Sequence, residues 1–263
     1  MRRNFILTLI AMLALSVLPF FGQGQTAQQQ HTQLGKETVR YKVMFKWGLI
    51  NKRAGTAILT LTPEDGYYSS LLTASSEPWA DNFYRVRDTL IGRMELENYK
   101  PLYYEKKAHE SNEFKHDIVD YDYSTEGITA ANCLRKAFKK GKLVRNETRR
   151  LESENKTVDM LTSFYYMRSL PFQNWKAGYV DTADIFSGKQ KERLSIVYHG
   201  IQNLEIDGKK YHTYYITFKF TSKNGAKTSD DMSAWITTDS LRIPVKMEGK
   251  LPVGKVQCFI TNK

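Results

Sequence analysis

The chain has 263 residues, of which 41% are hydrophobic and 25% charged, and its formal net charge is +11 at pH 7. This length is enough for one large domain with a substantial core. Two cysteines are far too few for a disulfide scaffold. The composition therefore excludes a small disulfide-stapled domain and indicates a fold that depends on its hydrophobic core.

The amino terminus has the layout of an export signal. A basic start at Arg2 and Arg3 is followed by an apolar run from Phe5 to Phe21 and then by small residues at Gly22 and Gly24. A membrane anchor is the alternative, because the run is at the short limit for a spanning helix. No cysteine stands next to the run, so a lipoprotein is not expected. We predict a signal peptide at residues 1–27, a flexible tether at 28–37 and a single β-rich domain at 38–263.

Export would place the mature protein in the periplasm. Removing Arg2 and Arg3 lowers the charge from +11 by two to +9, so the mature protein stays basic. Nucleic acid is then not expected as a partner. Lipids, acidic glycans and envelope proteins are available there, and such a charge favours peripheral association with anionic envelope surfaces. A charge that serves solubility alone is the alternative.

Alternation with a period of two dominates the chain after residue 38. Five large apolar residues between Val39 and Trp47 alternate with mainly polar ones, which predicts a strand with one wet face. Further candidates follow at hairpin spacing, and Asn224-Gly225 is the strongest hairpin signal. Roughly a dozen such strands predict a mainly β fold, an antiparallel curved sheet or incompletely closed β-barrel.

One segment departs from this alternation. Thr157 to Leu170 has helical length, with a Thr or Asn155 as N-cap, Asp159 in the first turn and Pro171 as its stop. Apolar residues on two sides predict one long buried helix, against the concave face or across the mouth of the sheet. Arg168 lies on the face opposite Asp159, so we expect it to bind a carboxylate or backbone carbonyls elsewhere.

Several motifs together resemble a known family. They are Tyr41 to Trp47 with Gly55-Thr56-Ala57, Asp159-x-Leu161, Tyr165-Tyr166-x-Arg168, Gly178, Trp235 to Asp239, Ile243-Pro244-Val245 and Gly254. From about residue 38 to the end, the chain resembles domain-of-unknown-function family 3108, a group of exported bacterial proteins. Ile206-Asp207-Gly208 departs from the family's Thr-Pro-Ala-Gly turn, which affects a turn only. The resemblance implies a periplasmic or surface-associated β-rich domain and no known activity or catalytic residues.

The chemical motifs are weak. Ser153 and Lys156 have the Ser-x-x-Lys spacing of penicillin-recognising enzymes, whose partner motifs are missing. Potential metal ligands cluster only between His109 and Asp117. With Ser111-Asn112 as a hairpin turn, His109 faces Phe114 and the two histidines stay apart, which predicts a solvated charged hairpin end. We therefore assign no catalytic residue, no metal and no cofactor.

The two cysteines leave two interpretations open. Cys258 lies in an inward-facing alternation, whereas Cys133 lies among Asn132, Arg135 and Lys136. Export would permit a bridge between the cysteines, but this contrast favours two unpaired small hydrophobes.

The aromatic content suggests a function. Aromatic residues make up 13% of the chain, and in a barrel they either line a cavity or fill a core. We predict a non-enzymatic binding or accessory protein of the cell envelope with an apolar or glycan ligand. The alternatives are an enzyme acting on envelope polymers and a structural interaction module. The residues predicted to bind the ligand are Trp47, Leu161, Phe164, Tyr165, Arg168 and Trp235.

Overall fold

The computed structural model describes residues 34–222 and 231–261. The predicted signal peptide, the first part of the predicted tether and the Asn224-Gly225 turn lie outside the described residues. The strands are β1 (Glu37–Trp47), β2 (Ile50–Pro63), β3 (Tyr67–Ser76), β4 (Val86–Glu95), β5 (Pro101–Glu110), β6 (Glu113–Asp122), β7 (Thr129–Lys139), β8 (Lys142–Ser153), β9 (Thr157–Val158), β10 (Val180–Phe186), β11 (Lys191–Ile206), β12 (Lys209–Ser222), β13 (Met232–Thr237), β14 (Pro244–Lys250) and β15 (Lys255–Ile260). The helices are α1 (Pro78–Tyr84), α2 (Thr162–Ser169) and a short 3-10 helix (Phe172–Asn174).

The strands form one sheet in the order β8-β7-β6-β5-β4-β3-β2-β1-β15-β14-β13-β12-β11-β10-β9. Neighbours are antiparallel except β9 and β10, which run parallel. Because turn signals separate almost every pair of strands, consecutive strands become neighbours and the sheet is a meander. The sequence-based prediction of a mainly β, barrel-like fold is confirmed.

Side chains bring the two ends of the sheet together. Asp184 on β10 is buried, and its Oδ2 accepts hydrogen bonds from Ser153 Oγ at 2.5 Å and Asn155 Nδ2 at 3.0 Å. Arg149 on β8 donates to the carbonyl of Lys189 at 2.6 Å. The sheet therefore curls into a nearly closed barrel whose seam is held by side chains instead of a strand ladder.

The alternating strand directions give the barrel two chemically different ends. One end, here called the basic end, carries the turns in segments 46–53, 139–142 and 250–255, which contain Lys and Arg but no Asp or Glu. The opposite end carries the turns in segments 64–66 and 122–127, which contain Asp and Glu but no Lys or Arg. The β4–β5 turn at this end combines Glu95 and Glu97 with Lys100, and the β13–β14 turn contains Asp239 and Arg242. Two connections at the basic end do contain acidic residues. The β3–β4 connection has Glu77 and Asp81, ion-paired with Arg53 and Arg87, and the β5–β6 hairpin has Glu110 and Glu113, both ion-paired with Lys115.

The buried helix is much shorter than the sequence suggested. The prediction of one long helix from Thr157 to Leu170 is wrong, because Thr157 and Val158 pair with β10 as strand β9. Asp159 then starts the helix: its Oδ1 accepts the backbone N–H groups of Leu161 at 2.8 Å and Thr162 at 2.7 Å. This Asp, and not a Thr or Asn155, therefore supplies the cap of α2.

Helix α2 is buried inside the barrel, as its two apolar sides predicted. Every residue from Thr162 to Arg168 is buried. Phe164 and Tyr165 pack with the core of β1 to β7, whereas Tyr166 and Met167 pack with the core of β10 to β13. The helix thus fills the half of the barrel next to the acidic turns.

Arg168 binds a carboxylate and backbone carbonyls, as we expected from the sequence. Its guanidinium donates to both carboxylate oxygens of Glu37, at the start of β1, and to the carbonyls of Leu241 and Arg242 at 2.8 and 3.0 Å. Burial opposes the charge, but the Glu37 carboxylate outweighs it and raises the pKa of Arg168. This buried pair fixes α2 to the start of the barrel. Within the predicted tether, the structure places Leu34 against the core.

The hairpin of β11 and β12 forms a second, outer core. Strand β11 continues past a bulge at Gly200 to Ile206. Asp207 and Gly208 close the hairpin with positive φ angles of 50° and 79°. Ile206 then packs outside the barrel with Trp235 and Val245. The outer face of β12 is therefore covered by residues of the hairpin that β12 forms with β11.

Three local predictions have clear outcomes. The β5–β6 turn lies at Ser111-Asn112, and His109 faces Phe114 as expected. Cys133 and Cys258 are both buried and free.

Helix α1, between β3 and β4, was not predicted. Among the described residues, no helix is both long enough and apolar enough to cross a lipid bilayer.

Candidate functional site

The interior at the basic end combines a charged wall with an apolar wall. The charged wall comes from β4 to β8, whose inward positions continue the faces of the buried core residues. Its ionisable members are Asp88, Lys106, Glu110, Lys115, Asp117, Arg135, Arg145, Glu147 and Arg149. We call this set the charged wall.

Most members of the charged wall neutralise one another. Arg135 is buried and reaches Asp117 at 3.2 Å and Glu147 at 3.0 Å. Glu110 accepts hydrogen bonds from Lys115 at 2.5 Å and from the Tyr84 hydroxyl at 2.9 Å. These pairs offset the cost of burying the charges.

Lys106 differs from these paired members of the charged wall. It lies on β5 between Tyr104 and Ala108, on the same face as both, and it is half-buried. Within the part of the chain that the structure describes, its ammonium group makes no hydrogen bond or ion pair, although it attracts the carboxylates of Asp88 and Asp117 at longer range. An inward-facing cation is therefore available to a ligand.

Three further polar atoms on β4, β5 and β6 lack a partner. Among the described residues, the hydroxyls of Tyr104 and Tyr121 and the Oδ1 atom of Asp88 are buried and make no hydrogen bond. Buried polar groups are normally hydrogen-bonded, so a buried group without a protein partner is a candidate contact for a ligand. Asp88, Tyr104 and Lys106 lie at neighbouring inward positions of β4 and β5 and form what we call the polar cluster, whereas Tyr121 lies farther along β6, beside the acidic 122–127 turn.

Burial sets the ionisation of these groups. Desolvation raises the pKa of Asp88 to about 6, and the nearby Lys106 charge opposes this shift. Desolvation also raises the pKa of Asp159 to about 6, against the hydrogen bonds that it accepts from Thr162 and Leu161. The pKa values of Tyr104 and Tyr121 are well above the usual value because of burial, reinforced by the Asp159 carboxylate. Both tyrosines therefore keep their protons and can donate hydrogen bonds.

The facing wall is apolar and partly open. Val43 and Phe45 on β1, Leu72 on β3 and Met247 on β14 pack against the core but remain partly exposed. Leu72 pairs with Leu59 and Leu90, which are almost fully buried, so solvent reaches it from inside the barrel. We call these four residues the apolar wall.

The residues predicted from sequence to bind a ligand lie in three separate places. Leu161, Phe164, Tyr165 and Arg168 belong to or flank the buried helix α2. Trp47 stands on the β1–β2 tip and is 55% exposed. Trp235 faces outward and stacks on Tyr215 with ring centroids 5.0 Å apart. The structure therefore brings the helix residues together but not the two tryptophans.

Sequence reasoning missed the polar cluster. The sequence did contain an indication of this cluster: Tyr104, Lys106, Ala108 and Glu110 occupy every second position of one strand and therefore share a face. The core residue Tyr104 shows that this face points inward. The sequence did not show which inward charges would find partners, since the partners come from other strands.

A second concavity lies on the outer surface. It has a volume of about 250 Å³ and lies between the β11–β12 hairpin tip and the outer faces of β1 and β15. Lys42 and Asp207, which line it, form an ion pair at 2.6 Å. Because these charges are already satisfied, the polar cluster is the stronger candidate. Among the described residues, no group of three or more His, Cys, Asp or Glu side chains could hold a metal ion.

Comparisons with known proteins agree with this fold. The sequence profile described as protein of unknown function (DUF3108) matches residues 39–261. The chain belongs to the DUF3108 family. No curated protein sequence matches this DUF3108 member. A similar solved structure is a β-barrel-like protein of domain of unknown function DUF1849 from Brucella abortus, with a TM-score of 0.61 and 11% identity over 88% of this chain and 98% of that one. At this identity the likeness concerns the fold alone.

Proposed function

We propose that this DUF3108 protein is an exported, non-enzymatic binding protein that takes an amphipathic ligand into the basic end of its barrel. The ligand has an apolar chain and an anionic head rich in hydrogen-bond acceptors. The observation that carries the proposal is the polar cluster, where the Lys106 ammonium and the Tyr104 hydroxyl lack partners among the described residues, together with the apolar wall. Export rests on the sequence of residues 1–27 alone.

The chemistry of the two walls defines the ligand class. Two hydrogen-bond donors, the Lys106 ammonium and the Tyr104 hydroxyl, suit a carboxylate or phosphate head. The partly exposed side chains of Val43, Phe45, Leu72 and Met247 suit an alkyl chain, because covering them removes apolar surface from water. A small polar metabolite would leave this wall uncovered, so we favour a fatty acid or lipid.

Binding of dansyl-undecanoic acid, a fluorescent fatty acid, tests the proposal. We expect saturable binding by the purified protein. Lys106→Met should weaken the affinity at least about tenfold, because it removes a charge-assisted hydrogen bond. The matched control is Lys107→Met: Lys107 faces outward on the same strand, pairs with Glu105 at 2.9 Å, and should leave the affinity unchanged.

The apolar wall has its own matched pair. Leu72→Gln places an amide among the partly exposed apolar side chains, whereas Leu71→Gln changes the neighbouring residue on the outer face, which is 42% exposed. Only Leu72→Gln should weaken binding of the fatty acid. Absence of binding by the wild type, or equal losses in the inward and outward variants of either pair, would contradict the proposal.

A further inference from the structure

The rim of the basic end exposes apolar side chains between its positive charges. On the β1–β2 tip, Trp47 is 55%, Leu49 105% and Ile50 45% exposed, and Val253 on the β14–β15 turn is 50% exposed. On the β7–β8 hairpin, Leu143 and Val144 are 53% and 62% exposed. The same three segments are the ones that contain Lys and Arg but no acidic residue.

Two of these tips are held side by side. Lys46 pairs with Lys255 across β1 and β15, which places the β14–β15 turn against the β1–β2 tip. Gly254 makes this contact possible: a Cβ atom there would lie 2.3 Å from the Lys46 carbonyl oxygen and 3.0 Å from Trp47 Cβ. Trp47 and Val253 are therefore presented together on a fixed edge.

We propose that the basic end docks on an anionic lipid surface, with Trp47, Leu49, Ile50 and Val253 inserted among the headgroups. Apolar and aromatic side chains flanked by Lys and Arg are the signature of interfacial binding, and the negative surface potential of anionic lipids attracts such clusters. The acidic turns at the opposite end orient the barrel, because the same surface repels them.

A lipid surface fits this rim better than a protein does. The exposed apolar residues stand on two separate parts of the rim, the edge formed by the β1–β2 and β14–β15 tips and the β7–β8 hairpin, with cations beside them, instead of forming one continuous flat patch. A fluid bilayer accommodates separate tips. Docking requires only the rim, so this inference does not depend on the proposed function.

Flotation with vesicles tests the docking. The purified protein should float with vesicles of phosphatidylcholine and phosphatidylglycerol, much less with phosphatidylcholine alone, and less as salt rises. Trp47→Ser with Leu49→Ser should abolish most of the binding. The matched control, Ile201→Ser with Leu241→Ser, changes two residues that are 57% and 55% exposed away from the basic end and should bind like the wild type.

The charges have a matched control as well. Lys142→Gln with Lys250→Gln should lower partitioning by about fivefold for each lysine removed. Lys209→Gln with Lys210→Gln removes the same charge from the β11–β12 hairpin and should have a much smaller effect. Equal binding to neutral and anionic vesicles, no binding to either, or equal losses in rim and control variants would overturn the inference. Vesicle binding without fatty-acid binding would sustain the docking and reject only the proposed function.

Discussion

At the scale of single residues, the charged wall holds Asp88 close to the point where it changes charge. Only 4% of Asp88 is exposed, and its Oδ1 atom has no partner among the described residues. Burial raises its pKa to about 6, whereas a carboxyl of an unfolded chain titrates near about 3.9. The folded state therefore binds the proton more tightly than the unfolded state. The stability that this provides is full below about pH 4 and is lost as the pH rises through about 6.

Asp88→Asn tests this ionisation. The amide has nearly the same shape and carries no charge, so it removes the cost of ionising a buried carboxyl. Above pH 7 we expect the variant to be more stable than the wild type by about 1 to 3 kcal/mol, and the difference should vanish near pH 4. Urea unfolding across this pH range measures it. A variant that is less stable than the wild type at pH 8 would show that the carboxylate has a stabilising partner.

The polar cluster shows which properties of single residues can be predicted from the sequence. Strand alternation identifies Lys106 and Asp88 as inward-facing once Tyr104 and Leu90 are assigned to the core. Whether an inward charge is free depends on residues far away in the chain, because Arg135 takes Asp117 and Glu147. The sequence-based search instead selected Leu161, Arg168 and large aromatic residues, and the structure places Trp47 and Trp235 apart from the helix residues of that set.

At the scale of elements, α2 lies inside the barrel and packs against both of its core clusters. Leu161 just before it packs on β4, where a Cβ atom added to Gly92 would lie 3.1 Å from Leu161 Cδ2. Tyr165 is fully buried. The half of the barrel next to the acidic turns is therefore a filled core, whereas the inward-facing side chains of the charged and apolar walls are in part exposed.

Leu161→Ala should destabilise the protein by about 2 to 5 kcal/mol, because it leaves a cavity in a tightly packed core. The variant should still bind dansyl-undecanoic acid, since Leu161 lies outside the apolar wall. Leu71→Ala, on the outer face of β3, is the control and should change stability by less than about 0.5 kcal/mol. Urea unfolding gives the stability and fluorescence titration gives the affinity. A cost similar to that of the control would mean that the helix packs loosely.

Regular hairpins were predictable from the sequence, but elements defined by distant contacts were not. The β5–β6 hairpin has both the register and the turn that its residues indicate. Strand β9 exists only because it pairs with β10, which follows it after α2, so its two residues looked helical. The second half of β11 leaves the barrel wall after Gly200 and gains its apolar contacts from Trp235 and Val245. Local periodicity contains neither of these contacts.

At the scale of the whole molecule, one continuous sheet combines a filled half, a half whose inward-facing side chains are in part exposed, and an uneven charge distribution. The basic end carries the exposed tips, whereas the buried pair of Arg168 and Glu37 belongs to the filled half. A ligand taken up at a lipid surface would thus enter where the barrel touches that surface. The proposed ligand site and the proposed docking rim both lie at this end.

A single sheet also predicts a single unfolding unit, and the two cysteines report on it. Cys133 on β7 and Cys258 on β15 are both buried, and six strands, β6 to β1, lie between them in the sheet order. Burial raises their pKa values to about 11 and about 12, so few thiolates form at neutral pH. We expect N-ethylmaleimide to label both cysteines at the same slow rate, through global unfolding, and both rates to rise together with urea. Mass spectrometry of the labelled peptides measures each rate, with the fully unfolded chain as the control for intrinsic reactivity. Much faster labelling of one cysteine without urea would show that part of the barrel opens by itself.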